Sequence, residues 1–373
     1  MERVEVVVVG AGITGLSTAW RLAEAGHQVV LLERFELGHD KGSSHGATRI
    51  FRFAYADPVY VRLAQAALPL WRELEEASGW EILRLTGGVD LGPASRLDAT
   101  EGALRSTGAV AERMTPKQIR ERFPSVDPGD SEGLFSPDSG VLAAARALEA
   151  TAALARARGA RLMGSTPVRA IRPEGESVTV ATDDGDIEAR RCVVAAGGWA
   201  PDLLEPLGIK LPMRVTREQV LYFKGPDDLP PLIHYGDTDG DRDGSSRFPF
   251  ARYAVPMYAG AAGIKVGEHM SGEVTTAEGR SYEMDPENAA RVARYVEQTF
   301  PALDPEPVAF ENCLYSTTPD EGFVLDPIGS VIVGSPCSGH GFKFGPLTGE
   351  ILACLATGRE PPADLAPFAL TRF

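Results

Sequence analysis

The stretch VEVVVVGAGITGLSTAWRLAEAGHQVVLLER, residues 4–34, decides the fold of this chain. An apolar strand, a glycine turn, an amphipathic helix and a second apolar strand follow one another, which is the order of a βαβ unit. Gly10, Gly12 and Gly15 form GxGxxG, in which glycines allow a tight turn, the approach of a pyrophosphate and close helix–strand packing. Glu33 ends the second strand, where a carboxylate can bind ribose hydroxyls. The segment predicts a Rossmann-like dinucleotide-binding unit.

The composition is that of a globular protein. The chain has 373 residues, of which 43% are hydrophobic and 24% charged, enough for one large core or two moderate ones. The formal charge of −15 would repel nucleic acid and anionic lipid. No apolar stretch approaches the roughly 20 residues that a membrane helix needs. We therefore expect neither nucleic acid nor membrane as a partner.

The four cysteines predict a reducing compartment. Cys192, Cys313, Cys337 and Cys354 form no CxxC pair and show no metal-ligand spacing. The chain begins without a basic, apolar signal segment. We expect a cytoplasmic protein without a metal site, in which most of these thiols are small packing groups.

One acidic loop imitates a calcium site. Asp239, Asp241, Asp243 and Gly244 occupy positions 1, 3, 5 and 6 of an EF-hand pattern, but the twelfth position is Phe250. Without the bidentate Glu at that position, calcium binding is not expected. The loop, residues 237–244, is interpreted as a solvated hairpin or an insertion above the active-site entrance.

Four further motifs carry a resemblance to a known family. Beside GAGITG they are GSSHGATRIFRFAY (42–55), GIKVGEH (263–269), CLYSTTPDEGF (313–323) and SGHGFKF (338–344). With these motifs in this order, nearly the whole chain resembles the monomeric sarcosine oxidase and N-methyltryptophan oxidase family of the glycine/D-amino-acid oxidase group. The resemblance selects FAD over NAD, which share the βαβ unit.

The resemblance implies an α/β, two-domain flavoprotein with a mixed α+β layout. A Rossmann-like FAD-binding domain is assembled from residues 1–84, 145–215 and 318–373. A mainly antiparallel-sheet substrate domain is inserted as residues 85–144 and 216–317.

The resemblance also implies how the cofactor is held. Cys313 matches the cysteine that bonds through sulfur to the 8α-methyl carbon of FAD, so we expect a covalent flavin. Beside Gly10, Gly12, Gly15 and Glu33, the FAD-binding residues implied are Ile13, Thr14, Arg34, Ser43, Ser44, Arg49, Val168, Gly197, Trp199, Gly339, Gly341, Phe342 and Lys343.

Substrate binding is implied for two cations and two aromatic residues. Arg52 and Lys343 match the pair that binds the substrate carboxylate, which suits an Arg fork assisted by a point charge. Tyr253 and Tyr315 match the walls of the cage. Because YAVPMYAGAAGIK is one residue longer than its family counterpart, Tyr258 is an alternative to Tyr253.

Four basic residues complete the expected surroundings of the flavin. His45 and Arg49 lie in the loop that passes beside the ring in the family, and His269 follows the strand of Lys265 and is placed to face the substrate. Lys265 is expected to stabilise the charge that develops when O₂ is reduced. His27, His39 and His234 have no motif context and are interpreted as surface or structural groups.

The predicted activity is that of a monomeric FAD-dependent amine oxidase. Sarcosine or a similar small N-methyl amino acid, O₂ and water would give glycine, formaldehyde and hydrogen peroxide. Two alternatives stay open. The substrate could be glycine, a cyclic imino acid, or a larger N-alkyl or β-amino acid, or the protein could be a flavin dehydrogenase that passes electrons to a partner.

Overall fold

A computed structural model describes residues 2–236 and 251–373. The acidic loop at 237–244 and Phe250 lie outside these residues. The described ranges contain eight α-helices, which are α1 Ile13–Glu24, α2 Pro58–Ser78, α3 Ala94–Ser106, α4 Pro116–Arg122, α5 Ala144–Ala157, α6 Ala200–Leu204, α7 Pro286–Thr299 and α8 Gly345–Thr357. They also contain twenty strands, which are β1 Glu2–Val9, β2 Val29–Leu32, β3 Thr48–Phe51, β4 Leu83–Leu85, β5 Gly88–Gly92, β6 Glu112–Met114, β7 Glu132–Ser136, β8 Gly140–Ala143, β9 Arg161–Met163, β10 Val168–Glu174, β11 Ser177–Thr182, β12 Gly185–Val194, β13 Arg214–Phe223, β14 Leu232–Tyr235, β15 Ala251–Val255, β16 Ile264–His269, β17 Glu273–Thr275, β18 Ala309–Thr317, β19 Val324–Ile328 and β20 Val331–Ser335.

The first sheet has a parallel centre. Its order is β10-β11-β12-β1-β2-β9, and β20, with β19 beyond it, pairs with the last three residues of β12. β9, β2, β1, β12 and β20 run parallel, so their carboxyl ends lie at one edge. In open α/β sheets ligands bind at that edge. The predicted βαβ unit, β1-α1-β2, is confirmed.

Helices cover one face of this sheet and form the largest core. α1 lies between α5 and α8, and Trp20, Trp71 and Ile351 are fully buried there. A Cβ on Gly349 would come within 2.3 Å of Ser17 Cβ, so the glycine lets α8 pack directly on α1. α1 is thereby fixed with its N-terminus at the carboxyl edge of the sheet.

The second sheet is antiparallel except for the parallel pair β14–β5. Its order is β17-β13-β16-β15-β14-β5-β7-β6, and β18 pairs with the other edge of β13 from Arg214↔Thr317 to Tyr222↔Ala309. α7 packs on it through Val292 and Val296. Together the two sheets confirm the predicted mixed α/β fold class.

A small third sheet, β3-β8-β4, contacts β15 of the second sheet and also α5, which packs against β9 of the first sheet. β8, in the predicted 85–144 piece, pairs on both sides with strands from the predicted 1–84 piece. The loop before β3 and the residues after it thus lie close to both large sheets. Among the described residues, no helix is both long and apolar enough to cross a membrane.

Gly15→Ala should destabilise the protein, because a Cβ there would lie 1.9 Å from the carbonyl oxygen of Gly10. We expect a loss of roughly 3 kcal/mol in the free energy of unfolding. Gly102→Ala is the control, since Gly102 lies within α3 and a Cβ added to it would meet no atom of another segment within 4 Å. That change should stabilise the helix by about 0.5–1 kcal/mol. Denaturant unfolding measures both, and equal stabilities would contradict the packing argument.

Candidate active site

A cavity of about 980 Å³ runs from the carboxyl edge of the first sheet to the face of the second. It brings together almost every residue predicted from the sequence. The predicted residues that line it are Gly10, Gly12, Ile13, Thr14, Glu33, Arg34, Ser43, Ser44, His45, Arg49, Arg52, Val168, Gly197, Trp199, Tyr253, Lys265, His269, Cys313, Tyr315, Gly339, Gly341, Phe342 and Lys343. Gly15 lies behind the wall, beneath Gly10.

The N-terminus of α1 forms a cradle suited to phosphate. Its N-cap, Gly12, has no side chain to cap the helix, and the first turn has no acidic residue. Ser44 Oγ accepts a hydrogen bond from Ile13 N–H at 3.2 Å, and a Cβ on Gly12 would lie 3.1 Å from that oxygen. Backbone N–H groups and the helix dipole favour an anion here. The arrangement fits the pyrophosphate of a dinucleotide.

Glu33 is held by the loops around it. Its carboxylate accepts hydrogen bonds from Ala11 N–H at 2.8 Å and Phe35 N–H at 3.0 Å, and His39 Nε2 lies 3.2 Å away. Although burial opposes ionisation, these contacts hold the pKa of Glu33 below its usual range. Of the two interpretations of His39, the structural one fits, since its side chain is only 16% exposed and lines the cavity.

Arg34 and Trp199, which both line the cavity, share one acidic partner. Glu278 Oε1 lies 2.5 Å from Arg34 Nη1 and accepts a hydrogen bond from Trp199 Nε1 at 2.8 Å. The Arg34 guanidinium also lies 5.7 Å from the Trp199 ring. This cluster fixes an aromatic wall beside the cavity, a contact that the sequence did not indicate because Glu278 is 79 residues from Trp199.

Cys313 lies on β18 and faces the cavity. Burial raises the pKa of its thiol to about 11, while the nearby cations Arg49 and Lys265 act in the opposite direction. The adjacent loop is fixed by Ser43 Oγ, which donates to the Leu314 carbonyl at 2.6 Å. Cys337 also lines the cavity, whereas Cys192 and Cys354 are buried and all four thiols are free.

Lys265 is a buried lysine on β16. Its Nζ donates to the Thr48 carbonyl, and burial, assisted by Arg49, lowers its pKa to about 7. Its cross-strand partner Tyr222 donates to Glu311 Oε2 at 2.8 Å, and Glu311 lines the same cavity. A carboxylate near this lysine was not anticipated from the sequence.

Two of the histidines that line the cavity, His45 and His269, are neutral at pH 7. Burial, together with the charge of Arg49, lowers the pKa of His45 to about 4. Burial, with Arg52 and Lys343, lowers the pKa of His269 to about 3. Neither imidazole is basic enough to hold a proton from a protonated amine.

Arg52 and Lys343 meet at Tyr55. Lys343 Nζ donates to Tyr55 Oη at 2.8 Å and to the His340 carbonyl, and the Arg52 guanidinium lies 4.7 Å from the Tyr55 ring. Burial, with the charge of Arg52, lowers the pKa of Lys343 well below its usual value. An anion between the two side chains would oppose that shift, so this end of the cavity favours a carboxylate.

Arg52 also has a buried acidic partner, Asp90. Its Nη1 donates to Asp90 Oδ2 and to Tyr235 Oη, each at 2.9 Å. The only sequence signal for this pair was one aspartate inside GVDLG, a strand whose five residues are all buried. Its partner could not be predicted because Arg52 is 38 positions away, after a strand of another sheet.

Aromatic walls come from β15 and β18. Tyr253 and Tyr315 line the cavity, and a Cβ on Gly339 would come within 2.4 Å of the Tyr315 ring. Tyr258 instead lies against Arg84, whose guanidinium is 4.4 Å from its ring, and packs on Val141 away from the cavity. The geometry therefore favours Tyr253. Within residues 2–236 and 251–373, no three His, Cys, Asp or Glu side chains are grouped to hold a metal ion.

Comparisons with known proteins agree with this geometry. The family model described as FAD dependent oxidoreductase, DAO, matches residues 5–355. Peroxisomal sarcosine oxidase of Homo sapiens is 33% identical over 387 residues, covering 99% of this chain and 96% of that protein. Monomeric sarcosine oxidase of Bacillus sp. (strain NS-129) is 32% identical with the same coverage.

A solved structure also matches this fold over nearly the full length of both chains. The open form of NikD, "an unusual amino acid oxidase essential for nikkomycin biosynthesis", superposes with a TM-score of 0.87 at 28% identity, covering 99% of this chain and 98% of NikD. The glycine-rich cradle, the family match and the full-length relatives lead to one conclusion. The chain belongs to the FAD dependent oxidoreductase family and is an enzyme related to the sarcosine oxidases.

Proposed function

We propose that this protein is a flavin amine oxidase that oxidises sarcosine or a similar small N-methyl amino acid. The net reaction converts sarcosine, O₂ and water into glycine, formaldehyde and hydrogen peroxide. The observation that carries the proposal is the convergence of Arg52 and Lys343 on Tyr55 at one end of a cavity with aromatic walls. A carboxylate would be bound there by charge-assisted hydrogen bonds.

The rest of the cage suits a small, uncharged amine. Tyr253 and Tyr315 provide apolar faces, and His269 carries no charge at pH 7. Asp90, which is already bound to Arg52, would not be free to pair with a buried ammonium group. Since burial disfavours the charged form, the site would select the neutral amine.

FAD would lie along the cavity, with its pyrophosphate at α1, its ribose at Glu33 and its ring between Cys313 and Lys343. Bound FAD supplies a two-electron acceptor for the substrate and a donor for O₂. We propose that Cys313 holds it covalently, through a bond from sulfur to the 8α carbon whose formation is a two-electron oxidation with O₂ as acceptor. Arg49 and Lys265 favour the thiolate that this bond requires.

Other amino acids remain the first alternative, supported by the likeness to NikD, an amino acid oxidase. Residues 257–262 and the acidic loop are where such a preference would be set. The second alternative is a dehydrogenase with a partner as electron acceptor. It is favoured by Glu311, whose negative charge in the same cavity would reduce the attraction of Lys265 for a developing anion.

We further propose that the protein is a cytoplasmic monomer without nucleic-acid or membrane partners, and that the two domains divide at the boundaries given above. The name of the Bacillus relative, monomeric sarcosine oxidase, supports the first point. Four unpaired thiols support a reducing compartment.

A peroxide assay with sarcosine, larger N-methyl amino acids, glycine and proline tests the activity. Sarcosine should be the best substrate, and sarcosine amide, which lacks the carboxylate, should be poor. Arg52→Ala or Lys343→Ala should raise KM for sarcosine about 10- to 150-fold by removing a charge-assisted hydrogen bond. An unchanged KM in both variants would refute the carboxylate site, and no peroxide with any substrate would favour the dehydrogenase.

Covalent attachment predicts that the yellow colour stays with the polypeptide after acid precipitation. Cys313→Ser should release the flavin into the supernatant, whereas Cys337→Ser, which changes the other cavity thiol, should retain it. Mass spectrometry of the intact chain measures the added mass. A colourless wild-type pellet would contradict the linkage.

Lys265→Met should slow the reaction of the reduced enzyme with O₂ about 10²- to 10³-fold, since a fixed cation stabilises the developing superoxide charge. Anaerobic reduction by substrate should change far less. The lysine is a cation only below its pKa, which is about 7 in the protein alone and would be raised by an adjacent anionic ring. The wild-type oxygen reaction should therefore slow as pH rises through that pKa, while the Lys265→Met reaction should not. Stopped-flow kinetics measure the two half-reactions separately. If Lys265→Met slowed flavin reduction and reoxidation by O₂ equally, this role would be refuted.

A further inference from the structure

Asp90 is a buried charge that the proposed reaction does not itself use. It lies at the centre of β5, 4% exposed, and its Oδ2 accepts hydrogen bonds from Arg52 Nη1 at 2.9 Å and from Tyr235 Oη at 3.2 Å. Burial raises the pKa of Asp90, and the charge of Arg52 opposes that rise. The guanidinium beside it therefore favours the ionised form of the carboxylate.

Within the described residues, the hydrogen bonds of Arg52 are made by one nitrogen. Nη1 lies within hydrogen-bond distance of Asp90, Tyr235 and, at 2.6 Å, the Ala54 carbonyl, so its two hydrogens are shared among three acceptors. Among the described residues, no acceptor is bonded to its Nη2 or Nε, although the side chain lines the cavity. Nη2 and Nε form one edge of a planar fork that matches a carboxylate in two parallel hydrogen bonds.

Tyr235 is itself fixed from two sides. It lies on β14, which pairs in parallel with β5 so that Ile233 is opposite Asp90. The Arg96 guanidinium lies 4.7 Å from its ring, and its hydroxyl connects Arg52 to Asp90. Two acceptors of Nη1, Asp90 and Tyr235, are thus side chains on adjacent strands of one sheet, and the third is the backbone carbonyl of Ala54.

Stability gives a poor account of this arrangement. A buried ion pair is often no more stabilising than apolar residues of the same size, because desolvation offsets the attraction. What the pair does provide is a fixed orientation of the guanidinium, since three acceptors on one nitrogen leave the plane little freedom. The opposite edge is then available to a ligand in the cavity without loss of side-chain entropy.

We propose that Asp90, acting with Tyr235, is a positioning residue that orients Arg52 so that its Nε and Nη2 edge receives the substrate carboxylate. The proposal rests on the proposed function only in taking Arg52 as a carboxylate-binding group. Asp90 acts through Arg52 and touches neither the substrate nor the reacting atoms.

The test is a double-mutant cycle with acetate as the carboxylate probe, its Kd measured from the absorption change of the oxidised holoenzyme. Asp90→Val should raise this Kd about 10- to 100-fold, and KM for the amino acid similarly, with kcat changed far less. Asp90→Asn, which keeps an acceptor oxygen, should stay within a few-fold of wild type. In an Arg52→Met background, Asp90→Val should have almost no effect, because the group it orients is gone.

Two controls make the outcomes distinct. Tyr235→Phe removes only a hydroxyl, so the double-mutant cycle can still be measured if Asp90→Val does not fold. Its loss of acetate affinity should be smaller than that of Asp90→Val and should also vanish in the Arg52→Met background. Asp183→Val, which removes the exposed partner of Arg169, should leave acetate binding unchanged.

If Asp90→Val and Tyr235→Phe each weakened acetate binding as much in the Arg52→Met background as in the wild-type background, their role would be generally structural. That result would overturn the inference. Unchanged or tighter acetate binding in Asp90→Val would overturn it as well. If Arg52→Met alone leaves acetate binding intact, the carboxylate site of the proposed function fails first, which separates the two failures.

Discussion

The approach of Gly10 to the end of β12 is the contact on which the site depends. Gly10 has φ +104°, and a Cβ on it would lie 2.5 Å from the Ala195 carbonyl oxygen. Because only glycine tolerates both conditions, the chain can turn from β1 directly into α1 against the neighbouring strand. The helix N-terminus, the two strand ends and the start of the cavity are thereby fixed within one turn of the chain.

At the opposite end of the cavity from α1, the electrostatics follow from burial. Desolvation lowers the pKa values of Lys265, His269 and Lys343. Arg52 is a cation at physiological pH, and its charge favours the ionised form of the buried Asp90 carboxylate beside it. The Arg52 end of the cavity thus suits a carboxylate, and the α1 end suits phosphate.

Local motifs allowed most of the site to be predicted. The glycines of the first turn were predicted from their own motif, and Cys313 and Lys265 from the resemblance of short segments to the family; all line or support the cavity. Contacts between distant segments could not be predicted. Whether Tyr253 or Tyr258 faces the cavity depends on the pairing of β15 with β16, and the position of His39 depends on where Glu33 lies. Asp90 was not singled out from the sequence, and its pairing with Arg52 is seen only in the fold.

The first sheet takes strands from both ends of the chain, and this constrains how the protein can fold during synthesis. β1 begins at Glu2, but β12 ends at Val194 and β20 spans Val331–Ser335. Once the ribosome has made β2, the Val6–Val9 run has only that strand as a neighbour, and its other edge has no partner for more than 130 further residues. An unpaired apolar edge of this kind is prone to aggregate. Faster elongation or a chaperone that shields nascent strands should therefore raise the yield of folded protein, whereas a truncation that stops before β20 should leave a chain that cannot close its parallel sheet.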